Sequence, residues 1–149
     1  MQNIVVAEKK FSVPSSAERV WRLLGKVIFS SLPQMENIEI LDENNFRAIL
    51  KTKILGAELN LKVKGEVVDI EPPENLTVRL SLSGPGIFSE IDQRVCFKIT
   101  AEGKEKAGVE CKAILEKIGR LSRFLLGGEI KEFAEGTFAA IEKRLQELV

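Results

Sequence analysis

The chain of 149 residues contains no histidine and no tyrosine. Without histidine, neither a Ser-His-Asp arrangement, nor a Cys-His arrangement, nor a histidine-bearing metal site can form. Glycine-rich patterns that bind phosphates or dinucleotides are also absent. These absences exclude much hydrolytic and metal-dependent chemistry, so the sequence predicts neither a metal ion nor a cofactor.

The chain also lacks a net charge, because 22 basic residues balance 22 acidic ones. Nucleic-acid-binding proteins usually carry a basic excess, so nucleic acid is not an expected partner. No apolar run approaches the ~20 residues that cross a bilayer. The N-terminus lacks the basic and long apolar regions of a signal peptide. The expected location is therefore cytoplasmic.

Cysteine is scarce, with Cys96 and Cys111 as the two examples. Both are expected to be free thiols, as is usual in a reducing cytosol. The alternating pattern around them places their side chains on opposite faces of neighbouring strands, which disfavours a disulfide. We interpret Cys111 as part of the core and Cys96 as a surface or edge residue.

The N-terminal third predicts one strand followed by one or two short helices. Apolar residues alternate through Ile4–Val13, and Val5 is expected on the inner face with the others. A capping-box pattern from Ser15 to Glu18 then starts a helix, and Gly25 is expected to end it. Residues 26–37 predict a second short helix or a tight loop.

Five further apolar rows alternate with charged residues between Phe46 and Leu115, which is typical of antiparallel strands with one buried face. The tail from about Arg120 to Leu148 predicts one long amphipathic helix. An apolar sheet face needs a cover, and this helix is the only long candidate. The predicted fold is α+β, a curved antiparallel sheet of about six to seven strands gripping a long C-terminal helix, with one or two short helices after strand 1. The whole chain, residues 1–149, is expected to form a single domain.

This order of elements, with Phe11-Ser12-Val13-Pro14 followed by Glu18-Arg19-Val20-Trp21, resembles the START-like helix-grip superfamily. Within it the chain is most similar to the family of the G subunit of carbon monoxide dehydrogenase. The segments that carry this second resemblance are Ser31-Leu32-Pro33, Lys62-Val63-Lys64-Gly65-Glu66-Val67, Asp69-Ile70-Glu71-Pro72-Pro73-Glu74 and the glycine-bearing stretch from Gly84 to Gly86. Together they extend over nearly the whole chain.

The resemblance implies a deep cavity between the sheet and the long helix. Members of the superfamily bind lipids, polyketides, quinone-like or other apolar molecules, and some are cyclases. The G-subunit family is associated with membrane recruitment of a molybdenum dehydrogenase, which implies contact with a membrane or with another part of such a dehydrogenase. It supplies no catalytic motif, so no catalytic residue is transferred to this chain.

A ligand site for an apolar small molecule is predicted between the inner rows of the sheet and the final helix. Ligand pockets are mostly apolar with a few polar groups that fix orientation, and Gln93 is the favoured polar group. The alternative for each residue is ordinary core packing. The predicted ligand-binding residues are Leu61, Val63, Leu80, Leu82, Ile91, Gln93, Val95, Ala113, Phe133, Ala134, Thr137 and Phe138.

Two segments are candidates for contact with other molecules. Ile87 and Phe88 follow a glycine-proline-glycine turn and are predicted to form an apolar lip of the cavity. Basic residues interleave with apolar ones between Lys117 and Leu126, a pattern that suits an anionic membrane surface. The alternative for this stretch is an ordinary helix start with solvated charges.

Three function classes are left open by these observations. A carrier of an apolar ligand is favoured over a cyclase or aromatase type of enzyme, and over a protein-interaction adaptor with a filled core. The pattern places the strand carboxylates outside, with Asp69 alone in phase with the inner row, which argues against acid–base catalysis. The sequence leaves the oligomeric state open, and a homodimer is among the states it allows.

Overall fold

The computed structural model describes residues 4–30, 35–54, 56–84 and 91–149. Seven strands and two helices occur in these ranges. They are β1 Ile4–Val13, α1 Ala17–Ser30, β2 Met35–Ile40, β3 Asn45–Ile54, β4 Ala57–Glu71, β5 Asn75–Ser83, β6 Ile91–Gly103, β7 Lys106–Lys117 and α2 Arg120–Leu148.

The strands form one seven-stranded sheet in the order β1-β7-β6-β5-β4-β3-β2. All neighbouring strands are antiparallel. From β2 to β7 each strand lies beside the next in the chain, as expected when short turns join alternating segments. The prediction of an α+β fold with a curved antiparallel sheet and a long C-terminal helix is confirmed.

Helix α2 covers the inner face of the sheet with the stripe that its sequence period predicts. Ala134, Phe138, Ile141 and Leu145 are all buried. The ring of Phe138 meets that of Phe97 edge to face, with centroids 6.1 Å apart, a favoured aromatic geometry. Helical spacing also predicts Leu148 in this stripe, but Leu148 is 39% exposed at the end of the helix.

Helix α1 is longer than its sequence predicts, because it passes through Gly25 and ends at Ser30. A glycine costs a helix about 1 kcal/mol relative to alanine. Val20, Leu24 and Val27 are buried on one face of α1, and their burial outweighs that cost. The predicted helix end at Gly25 is therefore wrong. The segment 26–37 instead divides between the end of α1, residues 31–34 outside the described ranges, and the start of β2.

A register shift in β4 reverses the expected alternation near its end. The shift lies between Val67 and Asp69, so Val68 is an extra residue of the kind that forms a β-bulge. Beyond it, Asp69 pairs with Thr77 on the outer face, whereas Ile70 is in phase with the inner row. The expectation that Asp69 points inward is wrong, because one inserted residue exchanges the two faces of a strand.

The same effect occurs at the start of β1. The register shifts between Val5 and Ala7, and Val5 pairs with Ile114 on the outer face of β7. Val5 is consequently 50% exposed, although simple alternation predicts it inside.

Both cysteines are free, as predicted. Cys111 is fully buried in the core, whereas Cys96 is half-buried. Burial raises the pKa of the Cys111 thiol to about 12, because a thiolate is poorly stabilised in apolar surroundings.

Candidate ligand-binding pocket

A pocket of about 440 Å³ lies where the sheet, α1 and α2 meet. The two helices form one side of it and strands β3 to β6 form the other, together with the turn between β2 and β3. The helical residues that line it are Trp21, Leu24, Gly25, Ile28, Phe133, Ala134, Thr137 and Phe138. Those from the sheet side are Ile40, Asp42, Glu43, Asn44, Asn45, Phe46, Val67, Ile70, Leu76, Val78, Leu80, Gln93, Val95 and Phe97.

Burial divides these residues into an inner wall and a mouth. The inner wall is buried and almost wholly apolar, with side chains such as Leu80, Val95 and Phe138. At the other end, Ile40 and Ile70 line the pocket and are 64% and 55% exposed. The pocket therefore opens to solvent beside the turn between β2 and β3 and the bulged end of β4.

The charged residues among the described lining residues are Asp42 and Glu43, both exposed at the mouth. The Asp42 carboxylate accepts hydrogen bonds from the backbone N–H of Asn44 at 2.8 Å and from the Asn45 side-chain amide at 2.9 Å. These bonds hold the pKa of Asp42 below its usual value. The carboxylate thus remains ionised at neutral pH, which suits a turn-stabilising role better than proton transfer.

Two uncharged polar side chains lie within the inner wall. Gln93 on β6 is 3% exposed and Thr137 on α2 is 6% exposed. The Thr137 hydroxyl has no hydrogen-bond partner among the described residues. The Gln93 side chain lines the same pocket from the sheet side. The inner wall therefore holds unused hydrogen-bonding capacity in otherwise apolar surroundings.

The structure brings seven of the twelve predicted ligand-binding residues together in this pocket: Leu80, Gln93, Val95, Phe133, Ala134, Thr137 and Phe138. Leu61, Val63 and Leu82 line a second cavity of about 20 Å³ that shares Leu80, Gln93 and Phe133 with the first. Ile91 and Ala113 are fully buried and line neither cavity. The predicted lip, Ile87 and Phe88, lies outside the described residues. That any of these residues binds a ligand stays a prediction.

Sequence reasoning missed the part of the pocket that α1 and the mouth contribute. Trp21 lines the pocket together with Leu24 and Ile28, whereas the sequence prediction assigned no residue of α1 to the site. Leu76 and Val78 stood in the predicted inner row but were not assigned to the site. Periodicity identifies the inner face of a strand, but it does not tell where along the strand the helices stand away from the sheet.

Residues 10–146 match the protein family of the carbon monoxide dehydrogenase G subunit (CoxG). The chain belongs to this family. The match covers every element that lines the pocket, from α1 to α2. A comparison with curated proteins found no match.

Three solved bacterial structures share the fold of this CoxG family member. A conserved protein from Geobacillus kaustophilus has a TM-score of 0.72 and 19% identity, covering 94% of both chains. The ZhuI aromatase/cyclase from Streptomyces sp. R1128 has a TM-score of 0.63 and 14% identity, covering 97% of this chain and 94% of that one. A START superfamily protein from Mycobacterium smegmatis has a TM-score of 0.61 and 19% identity, covering 96% and 98%. These structures confirm the helix-grip fold that the resemblance to the START-like superfamily implies.

Two further properties of the described residues bear on the site. Within the described ranges, no cluster of three or more cysteine, aspartate or glutamate side chains is arranged to hold a metal ion. Neither helix, as far as its residues are described, combines the length and the hydropathy that crossing a membrane requires.

Proposed function

We propose that the protein is a carrier or binding module that encloses an apolar small molecule, of lipid-, quinone- or polyketide-like character, in the pocket between its sheet and helices. The observation that supports this most is the pocket itself. Its volume of about 440 Å³ falls within the usual range of small-molecule sites. Its inner wall is buried and apolar, as a site for an apolar ligand requires.

The expected driving force is the removal of apolar ligand surface from water. At roughly 25 cal/mol per Å², a ligand that buries ~300 Å² of apolar surface gains about 7 kcal/mol before the costs of binding are subtracted. Small aliphatic and aromatic side chains provide this surface without any charged partner. Shape and apolar area, rather than ion pairing, therefore dominate recognition.

We propose further that the mouth is where the ligand is exchanged with a partner, as an accessory to a membrane-associated dehydrogenase. The family name supports the dehydrogenase as partner. Exposed apolar side chains support the location, since Ile40 and Ile70 line the opening. Leu41 and Val68 are also exposed and follow the lining residues Ile40 and Val67 in the chain. An exposed apolar patch next to a ligand pocket suits a docking partner that receives the ligand.

The two alternatives are each disfavoured by one observation. A cyclase or aromatase needs an acid or base that faces the substrate, whereas the carboxylates of Asp42 and Glu43 lie at the exposed mouth. An adaptor with a filled core would leave no interior volume for a ligand, and the pocket of about 440 Å³ disfavours that alternative. That the protein is not an enzyme stays a prediction.

The proposal is tested by titrating the purified protein with Nile red, an uncharged fluorescent probe, and by native mass spectrometry for a co-purified apolar molecule. Ala134→Trp should weaken probe binding by roughly ten-fold or more, because Ala134 lines the pocket and an indole there occupies ligand volume. Ala139→Trp is the matched control, because Ala139 is exposed on the same helix and the larger side chain should leave affinity unchanged.

Melting curves establish whether both variants are folded. Equal probe affinity in a folded Ala134→Trp protein and in the wild type would place the ligand elsewhere. A wild-type protein that binds no apolar probe would overturn the carrier proposal in favour of an adaptor.

A further inference from the structure

Apart from Asn44 and Asn45 in the turn at the mouth, each side of the pocket contributes one uncharged polar side chain among the described residues. Gln93 comes from β6 on the sheet side, and Thr137 comes from α2 on the helix side. Both are more than nine-tenths buried, and the Thr137 hydroxyl has no hydrogen-bond partner among the described residues. Buried polar groups without partners are uncommon, because each costs free energy that an apolar replacement would avoid. A ligand group that supplies the missing partner accounts for Thr137, and the Gln93 amide lines the same pocket.

The chemistry of the two side chains limits what that partner is. The Gln93 amide offers N–H donors and a carbonyl acceptor, and the Thr137 hydroxyl can donate and accept. A threonine in a helix divides between two χ1 rotamers, so the hydroxyl and methyl group of Thr137 can exchange places at the pocket wall. A ligand carbonyl oxygen can accept from both residues, and a ligand hydroxyl can in addition donate to the Gln93 carbonyl.

The charges around the pocket exclude an anionic ligand group at this position. Among the described lining residues there is no lysine or arginine, and the charged ones are Asp42 and Glu43 at the mouth. A carboxylate buried against Gln93 would lose its hydration without gaining a counter-charge. It would also have to enter past two carboxylates. A cation beside Gln93 and Thr137 would likewise be buried without a counter-charge, because both carboxylates lie at the exposed mouth. We therefore expect the polar group of the ligand to be neutral.

We propose that the ligand is an uncharged apolar molecule bearing a carbonyl or hydroxyl group, and that Gln93 and Thr137 hydrogen-bond this group inside the pocket. This inference rests on the proposed function and makes it more specific. Ketones, esters and alcohols fit this description. Free fatty acids do not fit, because they are charged, and pure hydrocarbons do not fit, because they carry no hydrogen-bonding group.

The test uses three naphthalenes of similar shape in competition with Nile red. Acetylnaphthalene carries a neutral carbonyl, isopropylnaphthalene carries a hydrocarbon group of similar size, and naphthoate carries an anion at neutral pH. The quantity compared is the ratio of the affinities for acetylnaphthalene and isopropylnaphthalene. Gln93→Leu and Thr137→Val should each lower this ratio about five-fold, the usual effect of one neutral hydrogen bond. The affinity for isopropylnaphthalene should stay constant or rise.

Thr77→Val is the matched control, because Thr77 lies on the outer face of β5 and its hydroxyl does not face the pocket. It should leave the ratio unchanged. Naphthoate should bind the wild type more weakly than acetylnaphthalene does. Thr137→Val keeps the shape of the side chain, so it remains informative even if Gln93→Leu fails to fold.

An unchanged ratio in folded Thr137→Val and Gln93→Leu proteins, or naphthoate binding as tight as that of acetylnaphthalene, would overturn this inference. The proposed function would stand in that case, provided that isopropylnaphthalene and Nile red still bind. If no apolar probe binds the wild type, the proposed function and this inference are overturned together.

Discussion

The ring of Phe46 lies directly against Gly65 on the neighbouring strand, in the space that any side chain at position 65 would occupy. Phe46 is buried and lines the pocket. The position of this part of the pocket wall therefore depends on the absence of a Cβ atom on β4. A glycine opposite an aromatic residue in a strand pair often marks such a close approach.

Gly65→Ala should displace the Phe46 ring and destabilise the protein by about 1–3 kcal/mol, the usual effect of an added methyl group in a packed site. A ring that moves toward the pocket should also lower the affinity for Nile red. Denaturant unfolding and probe titration measure the two effects. Gly103→Ala is the control, because a Cβ there meets no atom within 4 Å.

The double variant Gly65→Ala, Phe46→Leu should be less destabilised than the sum of its two single changes, since the smaller side chain relieves the overlap. Strict additivity of the two single changes would contradict the contact between these residues.

Two other glycines should respond to alanine with opposite signs. Gly25 lies within α1, and a Cβ there meets no atom within 4 Å, so Gly25→Ala should stabilise the protein by about 0.5–1 kcal/mol. Gly56 has a φ of 83° in the turn between β3 and β4, a conformation that alanine adopts only with strain. Gly56→Ala should therefore destabilise by about 1 kcal/mol. Urea unfolding curves of the two variants test both signs, and a destabilised Gly25→Ala protein would contradict the helical account of that position.

The strands and the helix stripe could be predicted from the sequence because both follow a fixed period. Ala134 and Phe138 recur at helical spacing and are buried as predicted. The β4 bulge could not be predicted, because Val67 and Val68 are equally suited to either face of the sheet. That single extra residue moves Ile70 to the mouth of the pocket and Asp69 to the outer face.

The candidate site could be predicted only in part for a related reason. Gln93 and Thr137 are polar residues at positions that the sequence period assigns to the apolar inner face, so the pattern identifies them. Trp21 and Ile28 line the pocket because α1 continues past Gly25, which depends on tertiary burial rather than on local propensity. The position of the pocket thus depends on how the two helices pack on the bent sheet, and no short sequence pattern predicts that arrangement.

The buried thiol of Cys111 should be far less reactive than that of Cys96. Burial raises the pKa of Cys111 to about 12, and the thiolate is the reactive species. At about pH 8, Ellman's reagent should therefore modify one thiol of the native protein quickly and the second after unfolding in denaturant. Cys96→Ser identifies the fast thiol, and rapid modification of the folded Cys96→Ser protein would contradict the burial of Cys111.

The raised pKa of Cys111 also predicts how the protein responds to alkaline pH. The folded state keeps the Cys111 proton at pH values where the unfolded chain, with an ordinary thiol pKa near 9.0, has lost it. Deprotonation therefore favours the unfolded state, and the contribution of this residue to stability is lost as the pH rises from about 9 to about 12. Cys111→Val, which cannot ionise, should lose less stability than the wild type over that interval. Equal losses in both proteins, measured by thermal unfolding, would contradict the shift.

Removal of the C-terminal half of α2 tests the grip of the sheet on its helix. A chain that ends before Glu132 lacks the buried stripe of Ala134, Phe138, Ile141 and Leu145, so the inner face of the sheet is left without its main apolar cover. Phe138, Ile141 and Leu145 each contribute roughly 1.5–3 kcal/mol. Their joint loss of about 5–9 kcal/mol is comparable with the ~5–15 kcal/mol that stabilises a typical domain. We expect no cooperative thermal transition by circular dichroism.

A chain that ends after Gln146 is the matched control for this truncation. It removes the exposed Leu148 and the hydrogen bond that the Arg19 guanidinium donates to the Leu148 carbonyl at 3.1 Å. It retains the whole buried stripe, so it should melt cooperatively with a loss of no more than about 1–2 kcal/mol. Cooperative melting of the longer truncation near the wild-type temperature would show that the sheet folds without α2. The conclusion that the pocket depends on α2 would then be wrong.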